Sequence, residues 1–339
     1  MLWSVLLALH LGPVSPTVPN RQPQLAANQA LVAMTFASAE GIWLAKSTDG
    51  GRSWGGPSKV ADLPKLLAGR HRGPRVVISG DALLVSAIPT GSDLFCWRST
   101  DGGRTWSKPV VINDKPTSAR EGLHAMAADG EGHVASAWLD DRMPGGKRLW
   151  GAFSEDGGKT WGRNVLLYES ASGTICQCCH PSLLSLGHGE FAVMWRNVMD
   201  GSRDFYVMRL KGGKAAGPAV KQGQGTWKLD ACPMDGGGMV LDGSDIVTAW
   251  RREHNVFLAR PGRPETDLGM GQDVALAEGR KGPVAVWVSG KTVRLFEAGK
   301  VSPQALSENG AFPNVVALPD GTVLAAWEEA GGIATKRIE

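Results

Sequence analysis

The phrase STDGGRSW at residues 47–54 recurs twice along the chain, and this repetition decides the predicted fold. The second copy reads STDGGRTW at residues 99–106, and the third reads SEDGGKTW at residues 154–161. Their aspartates, which stand 52 and 55 residues apart, are Asp49, Asp101 and Asp156. A phrase that returns at this spacing predicts a repeat architecture, because each unit can bury its apolar face only by stacking on the next unit.

Each copy of the phrase has the composition of a tight hairpin turn. An Asp side chain caps backbone N–H groups, and the two glycines take the positive φ angles that such turns need. A tryptophan ends each copy, and we expect it to pack over the turn and exclude water from it. The structural residues of the three copies are therefore Asp49, Trp54, Asp101, Trp106, Asp156 and Trp161.

A second periodic element extends the repeat over the rest of the chain. Short apolar runs rich in Val and Ala end at Trp138, Trp195, Trp250, Trp287 and Trp327. Phe36 and Ile88 take the equivalent place in the first two repeats. Each run is bounded by Gly, Asp or Asn, which is typical of a buried strand. A shorter strand precedes each run, and one or two more follow it.

Four strands per repeat favour an all-β chain of the β-propeller type. Seven such units fit between about residue 22 and residue 339, with six blades as the alternative. The last unit ends without a fourth strand, and we expect residues 13–18 to supply that strand and close the ring.

The repeated phrase resembles the Asp-box, also called the BNR repeat, of the sialidase superfamily. The resemblance implies that each Asp-box lies on a hairpin between the two outer strands of a blade, remote from the face that binds ligands. It also implies a sialidase-like protein whose arginine-rich central pocket binds an anionic ligand such as an acidic glycan, with exo-α-sialidase-type glycoside hydrolysis as the activity. Familiar members have six blades, which is the reason for the alternative count.

Composition restricts the class of protein. The chain has 339 residues and a formal net charge of +3 at pH 7, and no run of Lys or Arg exceeds a pair, so we expect no nucleic-acid partner. No apolar stretch reaches the roughly 18 residues of a membrane-spanning helix. Residues 1–18 are predicted to be a signal peptide or N-terminal segment, because MLWSVLLALHLG resembles the apolar region of a secretory signal. The sequence thus predicts a secreted or periplasmic protein with a single domain at residues 19–339.

In a propeller, the loops into the innermost strands and the loops between the second and third strands open on one face. These loops carry His71, Arg75 and Asp273, among others. The resemblance to sialidases implies three arginines that hold the substrate carboxylate, because a planar guanidinium matches a carboxylate with two hydrogen bonds. The predicted catalytic residues are Arg72, Arg196 and Arg251, with Glu253 and Asp141 for proton transfer. The predicted ligand-binding residues are Arg142, His124, Arg252 and Asp235.

Sialidases also use a tyrosine nucleophile, and here the chain departs from the family. It has two tyrosines, Tyr168 and Tyr206, and the repeat puts them on a fourth and a third strand rather than in the pocket. The family's F/Y-R-I-P phrase is absent as well. Two further hypotheses therefore stay open. One is a non-catalytic binding scaffold whose arginines only pair with neighbouring carboxylates, and the other is a propeller that depends on metal or thiol chemistry.

Cysteines supply the second unusual feature. TICQCCHP at residues 174–181 and DACPMDGGG at residues 230–238 enter two successive blades. Side chains alternate along an extended chain, so Cys176, Cys178 and His180 are expected on one face and Cys179 on the other. The predicted metal ligands are the three side chains on the shared face together with Cys232 from the next blade, and this set suits Cu or Zn. A disulfide between Cys232 and one of the other three cysteines, or a set of inert buried thiols, are the alternatives.

Overall fold

The computed structural model describes residues 8–339, and over that range the chain forms strands and turns without a helix. Among those residues, accordingly, no helix is long and apolar enough to cross a membrane. The strands are β1 (Leu9–Leu11), β2 (Arg21–Ala27), β3 (Val32–Ser38), β4 (Gly41–Ser47), β5 (Ser58–Asp62), β6 (Arg75–Ser79), β7 (Ala82–Ala87), β8 (Phe95–Ser99), β9 (Val110–Val111), β10 (His124–Ala128), β11 (Val134–Asp140), β12 (Arg148–Ser154), β13 (Val165–Tyr168), β14 (Ser182–Gly187), β15 (Glu190–Arg196), β16 (Phe205–Lys211), β17 (Lys214–Ala215), β18 (Val220–Lys221), β19 (Gly237–Asp242), β20 (Asp245–Arg252), β21 (Asn255–Ala259), β22 (Thr266–Met270), β23 (Gln272–Gly279), β24 (Gly282–Ser289), β25 (Thr292–Glu297), β26 (Gln304–Ser307), β27 (Ala311–Ala317), β28 (Val323–Glu329) and β29 (Gly332–Ile338).

These strands form seven antiparallel sheets, which are the blades of a propeller. Blades one, two and three are β2–β5, β6–β9 and β10–β13, and blade four is β14–β17 with β18 also paired to β16. Blades five and six are β19–β22 and β23–β26, and blade seven is β27–β29 with β1. The first strands of consecutive blades pack against each other, and β27 packs against β2, so the blades form a closed ring. The all-β fold and the count of seven blades are thus confirmed, and the six-blade alternative is wrong.

The ring closes through a strand from the start of the chain. In β1, Leu9 pairs with Thr335 and Leu11 with Ile333, so β1 is the outer strand of blade seven. The expectation that residues 13–18 supply this strand is wrong in position. That segment is PVSPTV, and its prolines lack the N–H group that a strand ladder needs, whereas Leu9–Leu11 keeps all its donors. Of the predicted N-terminal segment 1–18, residues 1–7 lie outside the described residues.

The core consists of apolar layers between neighbouring blades rather than one central mass. The layer between blades two and three contains Trp138 and Leu84, and the layer between blades three and four contains Trp195 and Leu149. The strand-end residues predicted from the repeat are all buried in these layers: Phe36, Ile88, Trp138, Trp195, Trp250, Trp287 and Trp327. Each layer is shared by two blades, so a blade without its neighbours exposes both of its faces.

Each Asp-box lies on the hairpin between the third and fourth strands of its blade, as the resemblance implies. In the first box, Ser47 Oγ donates to Asp49 Oδ1 at 2.7 Å and accepts from the Gly51 N–H at 2.8 Å. The carboxylate of Asp49 in turn accepts from the backbone N–H and hydroxyl of Ser53. The other two boxes repeat these bonds, and such donors lower the pKa of Asp156 to about 2. The aspartates are therefore structural caps.

The Asp-boxes also connect each of the first three blades to the preceding one. A basic side chain on the third strand of the preceding blade donates to the carbonyl of the first box glycine. These pairs are Arg337 with Gly50 at 2.8 Å, Lys46 with Gly102 at 2.5 Å and Arg98 with Gly157 at 2.8 Å. The second glycine of each box then packs on a leucine of that same blade. These pairs are Gly51 with Leu324, Gly103 with Leu44 and Gly158 with Leu84. The Asp-box is therefore a contact between blades as well as a turn.

The second Asp-box provides a matched test of this contact. Gly102 and Gly103 have similar φ angles, +72° and +79°, but a Cβ on Gly103 would lie 2.8 Å from Leu44 Cδ2, whereas a Cβ on Gly102 meets nothing within 4 Å. Both alanine variants carry the backbone strain, and only Gly103→Ala also disturbs the blade contact. We expect Gly103→Ala to lower the free energy of unfolding by about 1–3 kcal/mol more than Gly102→Ala does in urea unfolding. Equal losses would contradict the role of this contact.

Candidate functional site

The innermost strands surround a pocket on the propeller axis. The pocket has a volume of about 190 Å³, and every blade contributes to its lining. Its polar side chains are Gln24, His71, Arg75, His180, Ser182, Asp273 and Asn314. A larger cleft of about 370 Å³ lies between blades six and seven, but it opens on the Asp-box face between turns such as those at Arg280 and Gly321. Since the titratable groups of several blades meet at the axis, the axial pocket is the better candidate for chemistry.

Three β-bulges shape the entrance of this pocket. The strand register shifts at the start of β2, β23 and β27, and each shift contains one residue with positive φ. These residues are Gln22 (55°), Asp273 (60°) and Phe312 (48°). A bulge re-aims the side chain it contains, and strained backbone of this kind often accompanies functional sites. In blade six the bulge directs Asp273 to a histidine of blade two.

We call His71, Asp235 and Asp273 the axial triad. His71 Nε2 lies 2.6 Å from Asp273 Oδ1, and the Asp273 N–H donates to Asp235 Oδ1 at 3.2 Å. One ligand atom from each of the three lies within 4.8 Å of the other two. The side chains of the axial triad are 14%, 1% and 7% exposed, respectively, so solvent reaches the imidazole more than either carboxyl group. The triad therefore combines a base with two buried carboxyl groups.

Burial makes the carboxyl group of Asp235 harder to ionise. Desolvation, helped by the negative charge of Asp273, raises the pKa of Asp235 to about 6, while Arg251, His71 and Arg196 act in the opposite direction. Arg251 Nε lies 3.0 Å from Asp235 Oδ2, yet neither atom makes a hydrogen bond of good geometry within the described residues. The contact is ionic without being directional, which is why it does not cancel the cost of burying the carboxylate.

The loop that carries His71 is held from two sides. Arg75 is buried, and its guanidinium donates to the carbonyl of His71 at 2.6 Å, while burial lowers its pKa to about 10. The ring of His180 stacks on His71 with 4.4 Å between the centroids. Gly236 makes room for this stack, because a Cβ there would lie 1.9 Å from His180 Cε1. The glycine-rich phrase DGGG at residues 235–238 thus has a packing role beside the axial triad.

The cysteines form a separate group next to the pocket. We call Cys176, Cys178 and Cys179 the thiol cluster, because Cys176 Sγ lies 3.4 Å from Cys179 Sγ and 3.7 Å from Cys178 Sγ. All three are buried and free of disulfides. Hydrogen bonds from the other two thiols lower the pKa of Cys176, and the same contacts raise the pKa of Cys178. Arg203 Nη1 donates to Cys176 Sγ at 3.4 Å.

With the site described, the chain can be compared with known proteins. A family model described as "BNR repeat-like domain" matches residues 25–212, which is more than half of the chain. The chain belongs to the BNR repeat-like domain family. A search among curated proteins gave no significant match to this BNR repeat protein.

Solved structures resemble the BNR repeat protein along nearly its whole length. A protein of unknown function from Dyadobacter fermentans is 14% identical, with 98% of this chain and 97% of that chain covered and a TM-score of 0.53. A leech intramolecular trans-sialidase in complex with 2,7-anhydro-Neu5Ac is 11% identical, with 98% and 69% covered and a TM-score of 0.58. An ulvan lyase of polysaccharide lyase family 25, bound to -[GlcA(1-4)Rha3S]-, is 10% identical, with 96% and 95% covered and a TM-score of 0.57. At these identities the likeness concerns the fold.

The three arginines predicted to hold a substrate carboxylate already bind other groups of the BNR repeat protein. Arg196 is buried, and its guanidinium donates to the carbonyls of Arg203 and Arg251 at 2.9 and 3.0 Å. Arg72 donates to the carbonyl of Glu121 at 2.6 Å. Arg251 alone contacts the axial triad, through Asp235. A buried guanidinium requires partners of its own, and the sequence pattern could not reveal that backbone carbonyls supply them.

The other predicted polar residues are mostly engaged elsewhere. Asp141 pairs with Lys147 at 3.0 Å and with Arg120, and Glu253 lies exposed in the turn after β20. Arg142 binds Asp140 and Asp114 at 2.9 and 2.7 Å, and Arg252 pairs with Glu265. His124 is buried, with Nε2 2.9 Å from Ser86 Oγ, and burial lowers its pKa. Of the predicted ligand-binding residues, Asp235 is the one in the axial triad. His71 and Asp273 were expected on this face without an assigned role.

Both tyrosines lie in the layer between blades three and four. The rings of Tyr168 and Tyr206 flank Trp195, with centroid distances of 4.6 and 6.2 Å, and the Tyr168 hydroxyl accepts a hydrogen bond from Asn197 Nδ2. Neither tyrosine lines the axial pocket. The axial pocket therefore presents no tyrosine nucleophile.

Two expectations about the cysteines are wrong in geometry. Residues 177–179 form a turn rather than an extended strand, so Cys179 joins Cys176 and Cys178 instead of facing away from them. The same turn directs His180 into the axial pocket. Cys232 is exposed and forms no disulfide, so blades four and five are not joined by one.

The raised pKa of Asp235 predicts a pH dependence of stability. The folded protein binds this proton more tightly than the unfolded chain, whose reference pKa is 3.8. The resulting stabilisation is complete below about pH 4 and is lost as the pH rises through about 6. The free energy of unfolding of the wild type minus that of Asp235→Asn should therefore fall between pH 4 and pH 7, as measured by urea unfolding. A constant difference would mean that folding does not raise the pKa of Asp235.

Proposed function

We propose that this protein binds an acidic glycan in the axial pocket and cleaves it by general acid–base catalysis, with the axial triad moving the protons. The observation that carries the proposal is the pair of His71 and Asp273, 2.6 Å apart and beside Asp235, where strands of all seven blades converge. A histidine held by one carboxylate beside a second carboxyl group whose pKa is raised offers both a base and an acid for proton transfer.

His71 is the proposed base. With its Nε2 donating to Asp273 Oδ1, the other ring nitrogen, Nδ1, carries the lone pair that accepts a proton. Asp273 fixes this tautomer and stabilises the imidazolium that forms when the proton arrives. Arg75 is a positioning residue, since it holds the backbone of His71 without lying on the path of the proton.

Asp235 is the proposed acid. Its pKa of about 6 leaves about half of the groups protonated at pH 6 and about a tenth at pH 7, and the protonated form can give a proton to a leaving oxygen. Its burial beside Asp273 supports this role, because two neighbouring carboxyl groups do not readily ionise together.

Arg70 is the proposed contact for the acidic group of the substrate. It precedes His71, is exposed, and within residues 8–339 its only polar contact is Nη1 to Met234 Sδ at 3.3 Å. No carboxylate of the described chain pairs with it, so its guanidinium is available for two hydrogen bonds to a sugar carboxylate. The sugars named with two of the similar structures, 2,7-anhydro-Neu5Ac and GlcA, are both acidic, which supports this substrate class.

The lack of a tyrosine nucleophile at the site favours elimination over hydrolysis. Neither tyrosine lines the axial pocket, whereas the axial triad offers a histidine beside two buried carboxyl groups. Such groups can take one proton and give another without forming a bond to the sugar. In an elimination from a uronic acid, His71 takes the proton from the carbon next to the carboxylate, the bond to the leaving oxygen breaks as a C=C bond forms, and Asp235 protonates that oxygen. Sialoside hydrolysis, the activity implied by the Asp-box resemblance, is the second reaction to test.

We propose further that the protein acts outside the cytoplasm, as a secreted or periplasmic protein. The apolar residues at the start of the chain support this location, with residues 9–11 retained as β1 of blade seven. A polymeric acidic glycan as substrate supports it as well, since such a polymer lies outside the cell.

The first test assays the full chain on uronate-containing polysaccharides and on a fluorogenic α-sialoside. We expect unsaturated product, detected by its ultraviolet absorbance, from a uronate polymer. In His71→Gln, which keeps a hydrogen bond to Asp273, kcat should fall by about 10²–10⁴-fold. His188→Gln is the matched control, because His188 is exposed on the opposite face and pairs with Glu131.

Each result of this assay has a definite meaning. Product from the uronate polymer that disappears in His71→Gln and persists in His188→Gln supports the proposal. Release from the sialoside instead, lost in the same variant, would replace elimination by hydrolysis. Binding without turnover of any acidic glycan would leave a binding scaffold and overturn the catalytic proposal.

Arg70 provides a separate test of the substrate class. We expect Arg70→Ala to raise KM by about tenfold or more with little change in kcat, because a lost charged hydrogen bond costs roughly 1.5–3 kcal/mol of binding. Arg263→Ala, on the turn between β21 and β22, is the control for a general change of charge. An equal rise of KM in both variants would contradict a specific contact by Arg70.

A further inference from the structure

We propose that the thiol cluster of Cys176, Cys178 and Cys179 binds one Cu(I) ion through three thiolates. This site is distinct from the axial triad, and no step of the acid–base chemistry passes through it.

The spacing of the sulfur atoms fits a single metal ion. Metal–thiolate bonds of about 2.3 Å put the sulfurs of a tetrahedral site about 3.8 Å apart, and those of a trigonal site about 4 Å apart. Cys176 Sγ already lies 3.4 Å from one partner and 3.7 Å from the other, and all three sulfurs lie within 4.8 Å of one another. Each sulfur–sulfur distance therefore needs to change by less than about 1 Å to reach the trigonal value.

The number and kind of ligands select the metal. Structural zinc is almost always held by four ligands, whereas soft thiolates also favour Cu(I). His180, the next residue in the chain, is turned away to stack on His71. Cys232 is exposed and is not part of the cluster. Three thiolates with no His, Cys, Asp or Glu of residues 8–339 as a fourth ligand match Cu(I) better than Zn.

The surrounding charge balances the proposed complex. One Cu(I) with three thiolates carries a charge of −2, and a buried charge must be compensated. Arg203 donates to Cys176 Sγ at 3.4 Å, and the charge of Arg196 acts on both Cys176 and Cys179. The two guanidiniums together supply +2. This also gives Arg196 a role that the carboxylate-binding prediction did not foresee.

The protein holds the cluster rigidly in apolar surroundings. The Cys176 N–H donates to the carbonyl of Arg196 at 3.0 Å, which ties the cysteine turn to the end of β15. Val198 and Met234 pack against the three sulfurs. An apolar shell of this kind keeps water from a metal site and stabilises the reduced ion. Cys178, at 7% the most exposed of the three, lies on the side from which an ion would enter.

The test uses the full chain, reduced and freed of metal under anaerobic conditions, and titrates it with Cu(I) in competition with bicinchoninate. We expect one Cu(I) per chain, and X-ray absorption should report three sulfurs at about 2.3 Å. Cys178→Ser should lower the affinity for Cu(I) by more than about 100-fold. Changes to residues that only support the ligands typically cost about 10–100-fold. Cys232→Ser is the matched control, since Cys232 enters the neighbouring blade and lies outside the cluster, and it should bind like the wild type.

Several results would overturn the proposal. They are loss of Cu(I) to bicinchoninate by the wild type, equal affinities of Cys178→Ser and Cys232→Ser, and a preference for zinc with four ligands. Labelling of fewer than five thiols in the denatured, unreduced protein would show a disulfide in place of the metal site. Cys178→Ala is measured as a second variant beside Cys178→Ser. The affinities of these two variants are compared only if each keeps the wild-type circular dichroism spectrum, which excludes misfolding. Glycan cleavage does not enter this test, so its failure leaves the acid–base proposal intact.

Discussion

The structure depends on the contact between neighbouring blades. A four-stranded blade of this chain has two apolar faces, and each is covered only by the next blade in the ring. The layers between blades contain the buried tryptophans, and in three of the blades an Asp-box glycine packs on a leucine of the preceding blade. Because every layer is shared, the ring is stable only when it is closed, and the pairing of β1 with β29 completes it.

The same closure creates the candidate site. Seven innermost strands meet at the axis, so loops that are far apart in sequence deliver side chains to one pocket of about 190 Å³. His71, from the loop into blade two, and Asp273, from blade six, line this pocket, and Asp235, from the loop into blade five, lies against Asp273. None of these blades could assemble the triad alone. The bulge at Asp273, with its φ of 60°, is a local cost that the rigid ring can bear.

The fold was predictable from the sequence because its determinants are local and periodic. Asp49 caps its own turn, and Trp138 ends its own strand, so both can be recognised in a short window. The site was less predictable, because its side chains are sorted by contacts across the ring. The Arg196 guanidinium donates to two backbone carbonyls, and nothing in the neighbouring sequence predicts these hydrogen bonds. His71 and Asp273 were expected on the correct face, but only their 2.6 Å contact reveals them as a pair.

The segment from Cys176 to His180 shows how one short turn can serve two sites. The turn at residues 177–179 brings Cys179 back toward Cys176, and the next residue, His180, then enters the axial pocket and stacks on His71. The sequence predicts an extended strand instead, in which alternating side chains would put His180 on the same face as Cys176 and Cys178. The turn instead joins a buried thiol cluster, through the peptide bond between Cys179 and His180, to a side chain that packs on the axial triad. Any change that reshapes the thiol cluster must therefore be absorbed within this turn, or it will displace the ring that packs on His71.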